Sequence, residues 1–110
     1  MITVTGDFYL ENEPTMKYMD NGTAMTYFRA RSPEGKEEVI WVSITMFGKQ
    51  AEIANEWLKK GSGIQVTGRL RHTEGNPETY KANDGTTKAS FGVICDRFAF
   101  ISTKKQEGQE

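Results

Sequence analysis

Residues 39–47 carry the most regular alternation of apolar side chains in the chain, and they define one strand of its fold. The apolar row at every second position consists of Ile40, Val42, Ile44 and Met46. A period of two places those side chains on one face of a β-strand, against a core. Trp41 and Phe47 must then share the opposite face with Ser43 and Thr45. Because a strand rises about 3.3 Å per residue, the two rings lie roughly 20 Å apart and cannot stack on each other.

Four further segments have the composition of strands, and turn signals separate them. The predicted strands cover residues 2–10, 24–31, 63–71 and 88–101. The second of these carries one row of side chains that are mostly polar or charged, namely Met25, Tyr27, Arg29 and Arg31. Asp20-Asn21-Gly22 predicts a hairpin turn, and the polar residues 72–87 predict a long hairpin loop. The apolar pattern of the last strand changes parity between Phe91 and Phe100, which predicts a bulge near Asp96-Arg97.

Residues 48–60 have the pattern of an amphipathic helix. The residues at helical spacing that are predicted to face the core are Ala51, Ala54 and Leu58. Trp57 follows Ile53 by one helical turn and is also predicted to pack in the core. Lys59 and Lys60 are predicted to occupy the last turn, where cations interact favourably with the helix dipole. Gly61 is then the residue expected to end the helix.

Five strands with a helix between the third and the fourth predict an all-β fold with one helix. This order is that of the OB-fold, a five-stranded Greek-key barrel whose face and loops bind oligonucleotides or sugars. The order of elements indicates the fold, but one fold serves many functions. A single domain over residues 1–102 accounts for all the predicted elements. Residues 103–110 are polar and are predicted to form a short disordered tail.

The composition excludes several classes of function. Cys95 is the only cysteine and His72 the only histidine, which excludes an intramolecular disulfide and argues against a zinc centre or a catalytic triad. We therefore expect no catalysis, no metal and no cofactor. The chain has neither an apolar run long enough to span a bilayer nor a signal peptide, so we expect a cytoplasmic protein. The formal net charge of -1 gives no support by itself for a nucleic-acid partner.

Four motifs follow one another along the chain. They are residues 13–24 (EPTMKYMDNGTA), residues 41–61 (WVSITMFGKQAEIANEWLKKG), residues 68–71 (GRLR) and Asp96-Arg97. Their order and spacing resemble the bacterial single-stranded DNA-binding protein family. In that family the corresponding patterns are D-P-E-x-R-Y-x-x-N-G-x-A, a tryptophan followed by FGK, AE, L and KG, then G-x-L-R and A-D-R-x-x-F. The similarity runs from about Thr3 to Ile101.

The resemblance implies a sequence-tolerant binder of single-stranded DNA in replication, recombination or repair, associated with the nucleoid and usually a homotetramer. Members of the family stack bases on aromatic side chains and follow the backbone with lysine and arginine. The stacking residues implied here are Trp41, Phe47 and Tyr80; the match at Tyr80 requires about five extra residues, 74–78. The cations implied to contact the strand are Lys49, Lys60 and Arg71. Arg69 shares a predicted strand face with Arg71, which suggests a track for phosphates.

The chain also departs from the family pattern. Arg29 and Arg31 replace small or polar residues, and we expect them to add positive charge to the site. The family's long tail and acidic, phenylalanine-terminated tip have no counterpart before Glu110, so recruitment of repair partners through that tip is not carried over. The alternative interpretation is an OB-fold adaptor, of the kind found in primosomes, that binds mainly protein. The residues do not decide between a dimer and a tetramer, or between DNA and RNA.

Overall fold

The computed structural model of the protein describes residues 1–101, and the tail predicted for residues 103–110 lies outside them. Most of these residues form β-strands, because apolar and polar side chains alternate along them. The elements in chain order are β1 (Thr3–Leu10), β2 (Thr15–Tyr18), β3 (Ala24–Pro33), β4 (Val39–Phe47), α1 (Lys49–Trp57), β5 (Gly63–Leu70), β6 (Glu78–Lys81) and β7 (Thr87–Phe100). Within residues 1–101, no helix has the length and apolar character needed to cross a membrane.

Five of the strands close into a barrel in the order β1-β5-β7-β4-β3. The barrel closes where β1 pairs with β3, through Tyr9 opposite Arg31 and Leu10 opposite Ala30. The strands β4 and β7 are parallel, and the other neighbours in the barrel are antiparallel. The helix lies between the third and fourth barrel strands, as predicted. This architecture is the OB-fold.

The core fills the interior of the barrel with side chains from alternate positions of each strand. Its largest fully buried members include Leu10, Ile44, Met46, Ile64 and Val66. Val42, Ile44 and Met46 of the row predicted for β4 are buried, and Thr45 of the opposite row is buried as well, but Ile40 is exposed. The reason is that β4 pairs with β7 only from Val42 to Thr45, so its first residues extend beyond the barrel.

The helix closes one end of the barrel through a narrow buried face. Ala51 and Ala54 are fully buried, and Thr26 donates a hydrogen bond of 2.8 Å from Oγ1 to the carbonyl oxygen of Ala51. The prediction that Trp57 packs in the core is wrong, because 62% of this residue is exposed. The two alanines are small and let the helix lie close to β3. After them only Leu58 is buried, and Trp57 lies on the solvent side.

The helix ends earlier than its pattern predicts. Leu58 has an extended backbone, and Lys59 and Lys60 therefore lie in a turn after the helix and not in its last turn. The backbone N–H of Lys59 donates to Ser62 Oγ, and Gly61 donates to the carbonyl oxygen of Leu10. These contacts fasten the turn to the end of β1. Gly61 has a φ of 90° in this turn, a conformation that glycine adopts without the steric cost of a side chain.

The predicted bulge in the last strand is confirmed. Thr67 lies opposite Arg97 and Gly68 lies opposite Cys95, so Asp96 is the extra residue of β7. A Cβ atom on Gly68 would overlap the carbonyl oxygen of Ile94. Glycine is therefore required where β5 and β7 approach each other at this irregularity.

Residues 72–87, predicted as a loop, contain a strand of their own. Residues Glu78–Lys81 form β6, which pairs with residues 87–90 of β7 and forms a two-stranded arm. The arm extends from the barrel, and most of its side chains are exposed. It lies beside the start of β4 and therefore beside Trp41.

Candidate nucleic-acid interface

A groove of about 590 Å³, here called the central groove, runs across the outer face of β3 and β4. The register of these strands sets its shape: Tyr27 lies opposite Thr45, and Arg29 lies opposite Ser43. The residues that line the groove are Asn12, Thr15, Met25, Tyr27, Phe28, Arg29, Ser43, Thr45, Phe47, Arg71 and Ile94. Two arginines and no carboxylate are among these residues. The groove therefore combines aromatic surface with positive charge.

The aromatic rings predicted to face outward from the central strand do so. Phe47 is 37% exposed and Trp41 is 40% exposed, whereas Val42, Ile44 and Met46 between them are buried. Phe47 closes one end of the central groove, opposite Met25 on β3. Neither ring is in the interior of the barrel, so both can be reached by a planar ligand.

Two arginines of β3 lie on the same face of the sheet as Trp41. The guanidinium carbon of Arg29 lies 5.3 Å from the centroid of the indole ring, within the range of a cation–π contact. Arg31 is the register partner of Trp41 on β3, and its own guanidinium carbon lies 5.7 Å from the ring centroid of Tyr9. The structure thus brings Arg29 and Arg31 to the same face as Trp41.

A second depression, of about 420 Å³, lies between Trp41 and the arm. We call it the arm cleft; its lining includes Arg29, Trp41, Tyr80 and Phe91. The arm cleft and the central groove share Arg29 and Ser43, so they form one continuous surface. Tyr80, matched to the family only across an insertion, is therefore close to Trp41. Phe91 was missed because its parity in the strand suggested the core, but it lies where β4 and the arm diverge.

The side chain of Arg71 extends from the end of β5 across β7 to β4. It projects over Gly92 of β7, and its Nη1 donates to Thr45 Oγ1 at 3.2 Å while its Nη2 lies 3.1 Å from Glu78 Oε2. A Cβ atom on Gly92 would come within 2.8 Å of Glu78 Oε1 and 3.1 Å of Arg71 Cδ. Glycine at position 92 thus leaves room for the ion pair. Sequence reasoning found Arg71 but not its acidic partner.

Four of the predicted cations are not among the described lining residues of these two depressions: Arg31, which lies over Tyr9, and also Arg69, Lys49 and Lys60. Arg69 lines a separate depression beside Ile2, and its Nε lies 3.2 Å from Asp96 Oδ1. Lys49 begins the helix directly after the groove, and Lys60 lies in the turn beyond the helix; both side chains are exposed. In the described part of the chain, neither lysine lines the central groove or the arm cleft.

The titratable groups with altered pKa values lie away from the groove. Burial raises the pKa of the Cys95 thiol to about 12, and the negative charge of Asp96 acts in the same direction. Hydrogen bonds from the hydroxyl and the backbone of Thr86 lower the pKa of Asp84 in the turn of the arm. Among residues 1–101, no cluster of three or more His, Cys, Asp or Glu side chains could hold a metal ion.

Comparison with known proteins agrees with this geometry. Residues 3–101 match the Single-strand binding protein family. The chain belongs to this family. The match covers the whole barrel, the helix and the arm, so it includes every residue of the central groove.

Curated relatives from several bacteria are named single-stranded DNA-binding proteins. The chain is 31% identical over 100 residues to a single-stranded DNA-binding protein of Xanthomonas campestris, a match that covers 84% of this chain and 55% of that protein. It is 27% identical over 105 residues to one from Neisseria meningitidis, covering 88% and 58%. A third, from Clostridium tetani, is 30% identical over 109 residues, covering 92% and 72%. The chain thus spans little more than half the length of the first two relatives.

Proposed function

We propose that this protein binds and protects single-stranded DNA in replication, recombination or repair, with little regard to sequence and without catalysis. The observation that carries the proposal is the continuous outer surface formed by the central groove and the arm cleft. On it the exposed rings of Trp41 and Phe47 alternate with arginine side chains. Every base has a planar face, so stacking on such rings tolerates any sequence and contributes about 1–3 kcal/mol per base.

The residues proposed to bind the strand divide into two groups. Trp41, Phe47 and Tyr80 stack bases, and Arg29, Arg31 and Arg71 neutralise the phosphates beside them. Lys49, Lys60 and Arg69 lie at the margins of this surface and serve a strand that extends beyond the groove. The names of the relatives support single-stranded DNA as the ligand, and the exposure of the rings supports their assignment to stacking. We further propose that the protein acts in the cytoplasm, at the nucleoid.

Fluorescence titration tests the function. One of the two tryptophans can be removed, so that the signal comes from Trp41 alone. Trp57 is exposed on the helix and away from the groove, so Trp57→Phe leaves Trp41 as the sole reporter. Binding of oligo-dT should quench that reporter, and affinity should fall steeply with salt because neutralised phosphates release counterions. Titrations with oligo-dT, oligo-rU and duplex DNA, each at a low and a high salt concentration, measure the selectivity for single-stranded DNA. Unchanged fluorescence together with no mobility shift at low salt would refute the function.

We also propose that the chain assembles with copies of itself, as a homotetramer. Apolar side chains exposed on the barrel support assembly, and they include Ile2, Leu70, Phe100 and Ile101. Light scattering measures the mass directly, and a monomer at micromolar concentration would contradict the proposal. The same measurement addresses the adaptor alternative: Trp41→Ala would then change the assembly more than it changes DNA affinity.

A further inference from the structure

Tyr27 occupies the middle of the central groove, although no motif of the sequence points to it. We propose that Tyr27 and Lys17 form an additional nucleotide subsite between Trp41 and Phe47. In this subsite a base stacks on the tyrosine ring and the lysine ammonium neutralises a phosphate. The inference rests on the proposed function and specifies how the strand crosses the groove.

The position of Tyr27 fills a gap between the two rings of β4. Trp41 and Phe47 are roughly 20 Å apart along the strand. Tyr27 lies on the neighbouring strand opposite Thr45, and so between the levels of Ser43 and Phe47. It is 40% exposed, as much as Trp41 and slightly more than Phe47. A strand bound to both outer rings must therefore pass the ring of Tyr27.

Lys17 supplies the charge from the other side of the ring. It belongs to β2, opposite Met25, and its Nζ lies 5.6 Å from the ring centroid of Tyr27. Tyr27 lines the central groove together with Thr15, its register partner on β2, and Lys17 is not among the described lining residues. None of the ion pairs within residues 1–101 uses Lys17. The ring of Tyr27 thus lines the groove and has beside it a cation that no described ion pair compensates.

Tyr27→Ala in the Trp57→Phe background tests the stacking. From the contribution of one stacked base, affinity for oligo-dT should weaken roughly five- to hundredfold. Tyr27→Phe, which keeps the ring, should bind within about twofold of the parent. The matched control is Tyr18→Ala: Tyr18 is also an exposed tyrosine, on the neighbouring strand β2, but it does not line the central groove.

A tryptophan introduced at the subsite reports on it directly. In a chain with Trp41→Phe and Trp57→Phe, the indole introduced by Tyr27→Trp is the sole tryptophan and should be quenched by oligo-dT. Lys17→Gln should flatten the dependence of log affinity on log salt by about 0.7, the value for one phosphate contact to a single strand. Lys59→Gln removes an exposed lysine from the turn after the helix and should leave that slope unchanged.

The results separate failure of the subsite from failure of the function. If the parent protein does not bind oligo-dT, the proposed function itself is wrong. If the parent binds, and Tyr27→Ala binds as tightly as Tyr18→Ala while the introduced indole is not quenched, the subsite is wrong and the function stands. Weaker binding by Tyr27→Ala, retention by Tyr27→Phe and quenching of the introduced indole together support the subsite.

Discussion

The ion pair between Arg71 and Glu78 places a carboxylate beside the central groove, where a bound strand would place phosphates. Arg71 Nη2 lies 3.1 Å from Glu78 Oε2, and the two side chains are 32% and 23% exposed. A phosphate that binds Arg71 must therefore compete with Glu78. We expect Glu78→Gln, which keeps the shape and removes the charge, to strengthen binding of single-stranded DNA.

The magnitude follows from the exposure of the pair. Partly exposed ion pairs contribute about 0.2–1 kcal/mol, because solvent screens them. Releasing Arg71 from such a pair should raise affinity up to about fivefold, since 1.4 kcal/mol corresponds to a factor of ten. Arg71 keeps its hydrogen bond to Thr45 Oγ1, so the guanidinium remains directed into the groove. The gain should shrink at high salt, where both the pair and the repulsion are screened.

Oligo-dT titrations in the Trp57→Phe background measure the change in affinity, and two further variants identify its cause. Glu52→Gln removes one carboxylate from the helix and reports the effect of net charge alone. In an Arg71→Gln background, Glu78→Gln should help no more than Glu52→Gln does, because no ion pair is left to release; this double-mutant cycle isolates the pair. Weaker binding by Glu78→Gln would refute the reasoning and would mean that Glu78 holds Arg71 in its binding position.

Three further predictions concern stability and reactivity. Gly68→Ala should lower the free energy of unfolding in urea by about 3 kcal/mol, because the new Cβ meets the backbone of Ile94, which cannot move aside as a side chain can. Thr26→Val should cost about 1 kcal/mol in the same assay, since the hydrogen bond to Ala51 is lost inside the protein. Cys95 should react with a thiol reagent at pH 8 only after unfolding, because its buried thiol has a raised pKa of about 12. The unfolded chain then ionises first, so stability should fall above about pH 9, and Cys95→Ala should reduce that fall.

The sequence predicted those elements that have one buried face. Five barrel strands and the helix each bury a periodic set of apolar side chains, and their patterns located them to within a few residues. The strand β6 buries no such set: its four residues are half-buried or exposed, and it is held by pairing with β7 and by the ion pair of Glu78 with Arg71. In β2 only Met16 packs against the core. Strands of this kind depend on a partner that hydrophobic periodicity does not reveal.

For the candidate site, too, the local sequence pattern predicted which face a side chain lies on, but not which residues the strand register brings together. The parity of residues 39–47 was enough to place Trp41 and Phe47 on the outer face. Tyr27 was placed on the outer row of its strand as well, but its position between them depends on the register of β3 against β4. The approach of Glu78 to Arg71 depends on how the arm folds back. Trp57 was misplaced because helical spacing identifies a face but not how wide its buried part is.

The formal net charge of -1 does not determine the charge of the groove, since charge is distributed unevenly over the fold. The lining of the central groove contains two arginines and no carboxylate, and the arm cleft adds no carboxylate either. Glu78 is held to the edge of this surface by Arg71, and Asp96 is paired with Arg69 outside it. Coulomb interactions in salt solution act over about 10 Å, so a bound strand responds to these nearby groups and not to the sum over the chain. A protein with a net charge of -1 can therefore present a cationic groove, because the fold determines which charged residues line it.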